Sequence, residues 1–196
     1  MLRETGRRIL LKRSMMQNRN RDMRLRRVEE KDAGGMLEWM QDPRIQRGFR
    51  FNAGSRDMES VLHFIQHAGT QLIDGNDIHY AIVDEFDEYL GTISLKDIDL
   101  TDKRAEYAIC LRKKAQGKGI AAEATSEILR LAFEEYGLEK VYLNVLSENE
   151  RAIRLYERMG FTYEGEFRKH LFLRGEYKSL KWYSMLKEEY QMMYIV

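Results

Sequence analysis

Gln116-Gly117-Lys118-Gly119-Ile120-Ala121 begins the stretch whose reading decides the fold. A helical pattern follows it, then a short apolar strand at 141–146. The stretch closes with Asn149-Glu150-Arg151-Ala152-Ile153-Arg154-Leu155-Tyr156-Glu157-Arg158-Met159-Gly160-Phe161. Gly117 and Gly119 flank a lysine where helical periodicity starts. Glycine takes positive φ without a Cβ clash and lets the backbone approach a ligand closely. The first four N–H groups of the next helix have no partner within it. Together with the helix dipole they make an anion site suited to phosphate. Ile120, Ala124, Ile128 and Leu131 form one apolar stripe, with Phe133 at its edge, and Tyr136-Gly137 is a glycine stop.

Two other readings of the glycine turn stand beside this one. A lone Gly-x-Gly is commonly a surface turn that caps a helix. Gly117-x-Gly119-x-x-Ala122 also approaches a dinucleotide fingerprint, but that motif opens strand–helix–strand units with an acidic residue ~20 positions on. Here the nearest match, Glu139, precedes a strand, and the chain before the turn reads as antiparallel hairpins. No Gly-x-x-x-x-Gly-Lys-Ser/Thr is present, which excludes a nucleoside-triphosphate loop. Downstream, Ser147-Glu148-Asn149-Glu150 predicts a capping box for a further helix. Ala152, Tyr156 and Met159 share one face of it, Ile153 widens that face, and Gly160 ends the helix. Spacing alone makes Tyr156 a packed aromatic.

Taken together, Gln-x-x-Gly-x-Ala at 116–121 and Asn-x-x-Ala-x-x-Leu-Tyr-x-Arg-x-Gly-Phe at 149–161 resemble the Gcn5-related N-acetyltransferase (GNAT) superfamily. The likeness covers roughly residues 23–190 and is strongest over 105–165. It implies an α/β (α+β) fold, a mixed and mostly antiparallel sheet of six to seven strands flanked by about four helices. It implies acetyl-CoA as co-substrate and no metal. Gly117, Lys118, Gly119, Ile120 and Ala121 would hold the pyrophosphate through backbone amides, with Gln116 among the cofactor-binding residues. Asn149 would touch the pantetheine arm, and Ala152 would also bind the cofactor. Ile109, Cys110 and Leu111 would bulge and pair with pantetheine, one of their amides polarising the thioester carbonyl. Tyr156 would protonate the departing thiolate. Ala121 departs from the glycine of many members.

The chain has 196 residues, which suggests a single domain, expected at 23–190 between an extension at 1–22 and a tail at 191–196. A composition 43% hydrophobic and 33% charged fits a soluble globular protein rather than a disordered one. The net charge of +1 gives no global pull toward nucleic acid or membrane. One cysteine excludes an intramolecular disulfide and points to a reducing, cytoplasmic setting. No apolar run approaches the ~20 residues that span a bilayer. Residues 1–22 stand apart: Arg3, Arg7, Arg8, Lys12, Arg13, Arg19 and Arg21 face only Glu4 and Asp22. They read as a basic arm for RNA or another anionic surface, as a transit peptide, or most plainly as a frayed or helical extension.

The remaining elements read in order. Residues 23–28 alternate with arginines and form an edge strand. A helix carries Met36, Leu37 and Met40 and stops at Asp42-Pro43. A second runs over about 56–71, with Val61, Leu62, Phe64 and Ile65 inward. The loop between them is basic and aromatic, holding Arg44, Arg47, Phe49, Arg50 and Phe51. In the family this region lines the acceptor pocket, so Phe49 and Arg50, with Tyr80, are expected there. The aromatics could equally pack the helix pair, and the arginines could attract an anionic acceptor.

Three hairpin strands follow at 79–84, 89–97 and 104–111. In the third, Ala105, Tyr107, Ile109 and Leu111 share one face, and Glu106, Ala108 and Cys110 the other. Glu106 is either a solvent-facing strand residue or, as in several family members, the general base that takes the amine proton directly or through water. His63 and His67 have helical metal spacing, but no glutamate motif or ligand cluster joins them. Cys110 reads as a small buried hydrophobe.

The ending, Glu164-Gly165-Glu166-Phe167-Arg168 and then Leu173-Arg174-Gly175-Glu176-Tyr177, is similar to the branch holding ribosomal-protein alanine, spermidine and amino-sugar nucleotide acetyltransferases. Residues 90–111 look most like the amino-sugar group. The resemblance therefore implies acetyl transfer to the primary amine of a small acceptor, an amino-sugar nucleotide first. A polyamine or a ribosomal-protein N-terminus is the alternative, and a non-catalytic acyl-CoA-binding module the reading from another class. Expected partners are the small amine and, if the chain self-associates, a second copy. No membrane is expected, and no nucleic acid beyond weak contact by the N-terminal arm.

Overall fold

The computed structural model describes residues 23–49, 53–69 and 71–194. The extension at 1–22 and the loop residues Arg50 and Phe51 lie outside them. The strands are β1 (Met23–Arg27), β2 (Ile78–Asp84), β3 (Tyr89–Asp99), β4 (Arg104–Leu111), β5 (Lys140–Leu146), β6 (Thr162–Leu173) and β7 (Glu176–Leu186). They form one seven-stranded sheet in the order β1-β2-β3-β4-β5-β7-β6. Every pairing is antiparallel except β4 with β5. The described helices are α1 (Ala33–Gln41), α2 (Pro43–Gln46), α3 (Met58–His67), α4 (Ile120–Arg130), α5 (Glu150–Met159) and α6 (Lys187–Tyr194). These six exceed the four expected, because a short turn and a C-terminal helix were not foreseen.

Strand alternation sends apolar side chains to both faces, and each face has its own core. Ile82, Ile93, Leu95, Tyr107, Val141 and Tyr183 pack with Ala124, Ile128 and Leu129 of α4. Val28, Ala81, Val83 and Tyr89 pack with Met36 and Trp39 of α1 and Val61 and Ile65 of α3. Full burial of one such aliphatic side chain contributes ~1.5–3 kcal/mol. The α4 stripe is wider than expected: Thr125 and Leu129 are buried alongside Ala124 and Ile128. Helix α4 runs into a π-turn at Leu131–Glu135. Gly137, at φ 65°, then turns the chain, and the N–H of Leu138 donates to the carbonyl of Ala132 at 2.9 Å.

Three local expectations are corrected. Helix α5 is capped by Asn149, whose side-chain oxygen accepts from the N–H of Ala152 at 3.2 Å. The predicted Ser147–Glu150 box does not form, because Ser147 is drawn to the sheet: its hydroxyl donates to Glu166 at 3.0 Å and its N–H to the carbonyl of Ser179 at 3.0 Å. The second helix is shorter than 56–71, starting after the Asp57 cap and ending at His67. Residues 191–194 are the end of α6 rather than a tail, since the hydroxyl of Tyr194 reaches the carbonyl of Met159 at 2.9 Å.

The functional consequence lies between β4 and β5. Their parallel pairing comprises only Arg104↔Lys140, Ala105↔Val141 and Glu106↔Tyr142. Past Glu106 the two strands diverge. The β3–β4 register meanwhile runs unbroken from Lys96↔Glu106 to Gly91↔Leu111. The expected bulge at Ile109, Cys110 and Leu111 is therefore absent from this ladder, and the opening comes from the departure of β5. Gly91 allows the close approach that keeps β4 on β3: a Cβ there would lie 2.2 Å from the carbonyl oxygen of Cys110.

Candidate active site

The gap between β4 and β5 opens into a cleft of about 1460 Å³. Helix α5 follows β5 and leans across the gap. Tyr156 on its inner face is 8% exposed and packs edge-on against Tyr107, with ring centroids 5.8 Å apart. Among the described residues its hydroxyl has no hydrogen-bond partner. Burial, followed by the nearby Cys110 thiol, pushes this phenol above its ordinary value. It thus stays protonated at neutral pH, as a proton donor must. Burial likewise raises the Cys110 thiol, so the thiolate that a nucleophile would need is disfavoured.

The exposed edge of β4 supplies amides. The N–H of Arg112 donates to the carbonyl of Leu90 at 2.8 Å, toward β3. Antiparallel alternation turns the N–H of Cys110 the same way and those of Ile109 and Leu111 toward the gap. The side chain of Gln116 donates to the carbonyl of Leu111 at 3.1 Å, which agrees with that direction. Of the amides expected to polarise a thioester, those of Ile109 and Leu111 face the gap and that of Cys110 does not.

At one end of the cleft lies the glycine turn. Gly117 has φ 80° and Gly119, the N-cap of α4, has φ 87°. A Cβ at Gly117 would meet nothing within 4 Å, so glycine serves the backbone conformation there rather than the packing. Gln116, Gly117, Gly119 and Ala121 line the cleft with Asn149 and Ala152. Lys118 and Ile120 do not; their part would be through backbone N–H groups alone. Lys113, Arg151, Arg154 and Arg158 also line it and were missed in the sequence. The arginines recur at i, i+3 and i+7 on α5, a helical face that would have revealed them. A helix start with unpaired N–H groups beside such cations fits the diphosphate of a CoA thioester.

Glu106 enters from the other face of the sheet. It is 6% exposed, so the solvent-facing alternative is wrong. The side-chain NH₂ of Asn144 donates to its Oε1 at 3.0 Å, and Lys96 Nζ stands 3.8 Å from Oε2. Asn144 and Lys96 were not singled out in the sequence; their roles depend on cross-strand register. The cleft is also lined by Trp39, Phe49, Phe64 and His79 and by Arg44, Arg47 and Arg56. Phe49 packs on Trp39 at 5.4 Å. Burial holds the His79 imidazole below its ordinary value, and its Nδ1 bonds Ser94 Oγ at 2.8 Å. Tyr80 is a misplaced expectation. Strand alternation turns it to the α4 face, where its hydroxyl bonds that of Tyr136. Arg50 lies outside the described residues.

The sequence profile of the acetyltransferase (GNAT) domain matches residues 22–162. The chain belongs to the GNAT family. This GNAT chain is 31% identical over 177 residues to the putative ribosomal N-acetyltransferase YdaF of Bacillus subtilis, covering 88% of this chain and 95% of that one. It is 37% identical over 92 residues to the spermidine N(1)-acetyltransferase of Escherichia coli K12, covering 47% of this chain and about half (50%) of that relative's length. Among solved structures it resembles the spermidine N-acetyltransferase of Vibrio cholerae in complex with CoA and spermine. That match has a TM-score of 0.78 and 25% identity, over 87% of this chain and 99% of the other. Among the described residues no helix of this GNAT chain is long and apolar enough to cross a membrane. No group of three or more His, Cys, Asp or Glu side chains there could hold a metal ion.

Proposed function

We propose that this chain transfers the acetyl group of acetyl-CoA to a primary amine of a polyamine, spermidine first. One observation carries the transfer chemistry: Tyr156 and Glu106 reach the same gap from opposite faces of the sheet. The glycine turn and the α5 arginines hold the diphosphate, and this remote binding places the thioester between the strands. The amine nitrogen attacks the thioester carbon and the C–S bond breaks. Glu106 takes the proton the nitrogen loses. The amide of Leu111 steadies the oxyanion, a contribution of about 3 kcal/mol for one such donor. Tyr156 gives its proton to the leaving thiolate and regains one from solvent.

The acceptor choice is supported by relatives named for spermidine acetylation. It is also supported by carboxylates on the acceptor side, Glu106 and Asp77. A second reading, the N-terminal amine of a ribosomal protein, is favoured by Arg44, Arg47 and Arg56 on the wall, which oppose a polycation. The near full-length likeness to YdaF favours it as well. The amino-sugar nucleotide keeps only those arginines in its support. A thiol-release assay with acetyl-CoA decides among spermidine, spermine, peptides with free N-termini and nucleotide-linked amino sugars. Fastest turnover per mole of spermidine or spermine is expected. Release with peptides alone would move the assignment to the second reading, and release with none would end it.

A further inference from the structure

Glu106 does not aim itself. Its Oε1 is held by the carboxamide of Asn144, at 3.0 Å. A carboxamide has two orientations of almost identical shape. Only one presents NH₂ to the carboxylate; the other sets its oxygen against it. Something on the far side of Asn144 must choose between them.

That far side holds two buried polar atoms without partners, Asn144 Oδ1 and the indole Nε1 of Trp182. One is an acceptor and the other a donor only. Asn144 and Trp182 stand directly opposite each other in the β5–β7 register, where facing Cβ atoms lie ~5 Å apart. The indole is kept in place by Tyr142 on one side, at 6.0 Å, and Phe167 on the other, at 5.3 Å. Both orphaned atoms are sealed from solvent and are not bonded to each other in this structure; a small rotation of either side chain that joined them would relieve both at once.

We infer that Trp182 and Asn144 are positioning residues for Glu106: the indole N–H closes on Asn144 Oδ1, which fixes the carboxamide with its NH₂ toward the carboxylate. Once that contact closes, the chain of bonds runs from Trp182 on β7 through Asn144 on β5 to Glu106 on β4. It secures the orientation of the group proposed to take the amine proton. The inference rests on reading Glu106 as that base. Other charged or titratable groups around Glu106 are Lys96 on β3, Tyr142 on β5, and His79 and Asp77 toward β2. Arg44, Arg47 and Arg56 line the same cleft.

The test uses Trp182→Phe, which removes the N–H and keeps an aromatic ring between Tyr142 and Phe167. Expected is an about tenfold fall in kcat with KM for acetyl-CoA unchanged. The acid limb of the kcat/KM profile for the amine should move to higher pH, because a carboxylate that loses a donor protonates more readily. A second measurement needs no turnover: the indole ¹H–¹⁵N resonance of Trp182 in the wild-type protein, followed against pH. The resonance of Trp39, bonded to Tyr89 at 3.0 Å, serves as reference. The Trp182 resonance should titrate in the wild type and stay flat in Glu106→Gln. A resonance that is flat in the wild type, or a Trp182→Phe variant with unaltered kcat and acid limb, overturns the inference. A wild type that acetylates no amine overturns the proposed function instead, and the resonance then still decides the chain of bonds.

Discussion

The guanidinium of Arg151 donates to the side-chain oxygen of Gln116 at 2.6 Å. The bond ties the first turn of α5 to the loop that enters the glycine turn, across 35 positions of sequence. The two motifs that identified the fold are thus joined by a side-chain contact at the mouth of the cleft. Gln116 in turn holds the carbonyl of Leu111 at 3.1 Å, so the contact extends to the open edge of β4.

Arg151→Ala removes this tie together with a cation beside the glycine turn. KM for acetyl-CoA should rise about tenfold, the equivalent of one charge-assisted hydrogen bond. KM for the amine should be unchanged. Steady-state kinetics with each substrate varied in turn checks this, and a rise confined to the amine would refute the placement.

Tyr156→Phe removes the buried hydroxyl and keeps the ring against Tyr107. Loss of a general acid lowers kcat by ~10²–10⁴-fold. Acetyl-CoA affinity, measured by calorimetry, should stay within about twofold, because the ring's contacts remain. Unchanged turnover would take Tyr156 out of the chemistry.

Gly91→Ala tests how β4 is held to β3. The new methyl would lie 2.2 Å from the carbonyl oxygen of Cys110 and 2.9 Å from the Cα of Leu111. Backbone atoms cannot move aside cheaply, so ~1–3 kcal/mol of stability should be lost, lowering Tm by a few degrees. Any shift of β4 also displaces the Leu111 amide, so kcat should fall even where the variant is folded. A thermal melt and a rate measured well below Tm check the two effects separately.

Asp87, in the β2–β3 turn, is held down at about 2, first by the hydrogen bond from Lys31 and then by that from Arg26. A carboxylate depressed in the folded state adds stability that is complete above its ordinary value and disappears as pH falls through the folded one. Asp87→Asn, which tolerates the local φ of 66°, should therefore be less stable than the parent at neutral pH. The difference should narrow from the ordinary value of 3.8 down to about 2. Urea melts at neutral pH and in that acid window give the comparison, and an equal difference at both would refute it.

The fold was legible wherever periodicity and turn chemistry are local. Strand β4 has the bounds read from its alternation, and Gly117, Gly119 and Gly137 take the positive φ the sequence demanded of them. Helix α5 was legible too, but its cap was misassigned, because Ser147 and Asn149 can both cap and only the neighbouring strands draw Ser147 away. Tyr80 was misplaced for a related reason: one step along a strand exchanges faces, and His79 is the residue that meets the cleft.

The sequence by itself pointed to the family, to a glycine turn at a helix start and to a tyrosine on an inward helix face. All of these follow from spacing within one element or from two adjoining motifs. The tertiary structure decided which groups meet. Glu106, Asn144 and Trp182 belong to three strands, and only the order β4-β5-β7 and its register set them side by side. The cleft exists because β5 leaves β4 after three residue pairs while β3 keeps hold of it. Such a divergence is a balance of long-range pairing and packing, and no local pattern encodes it.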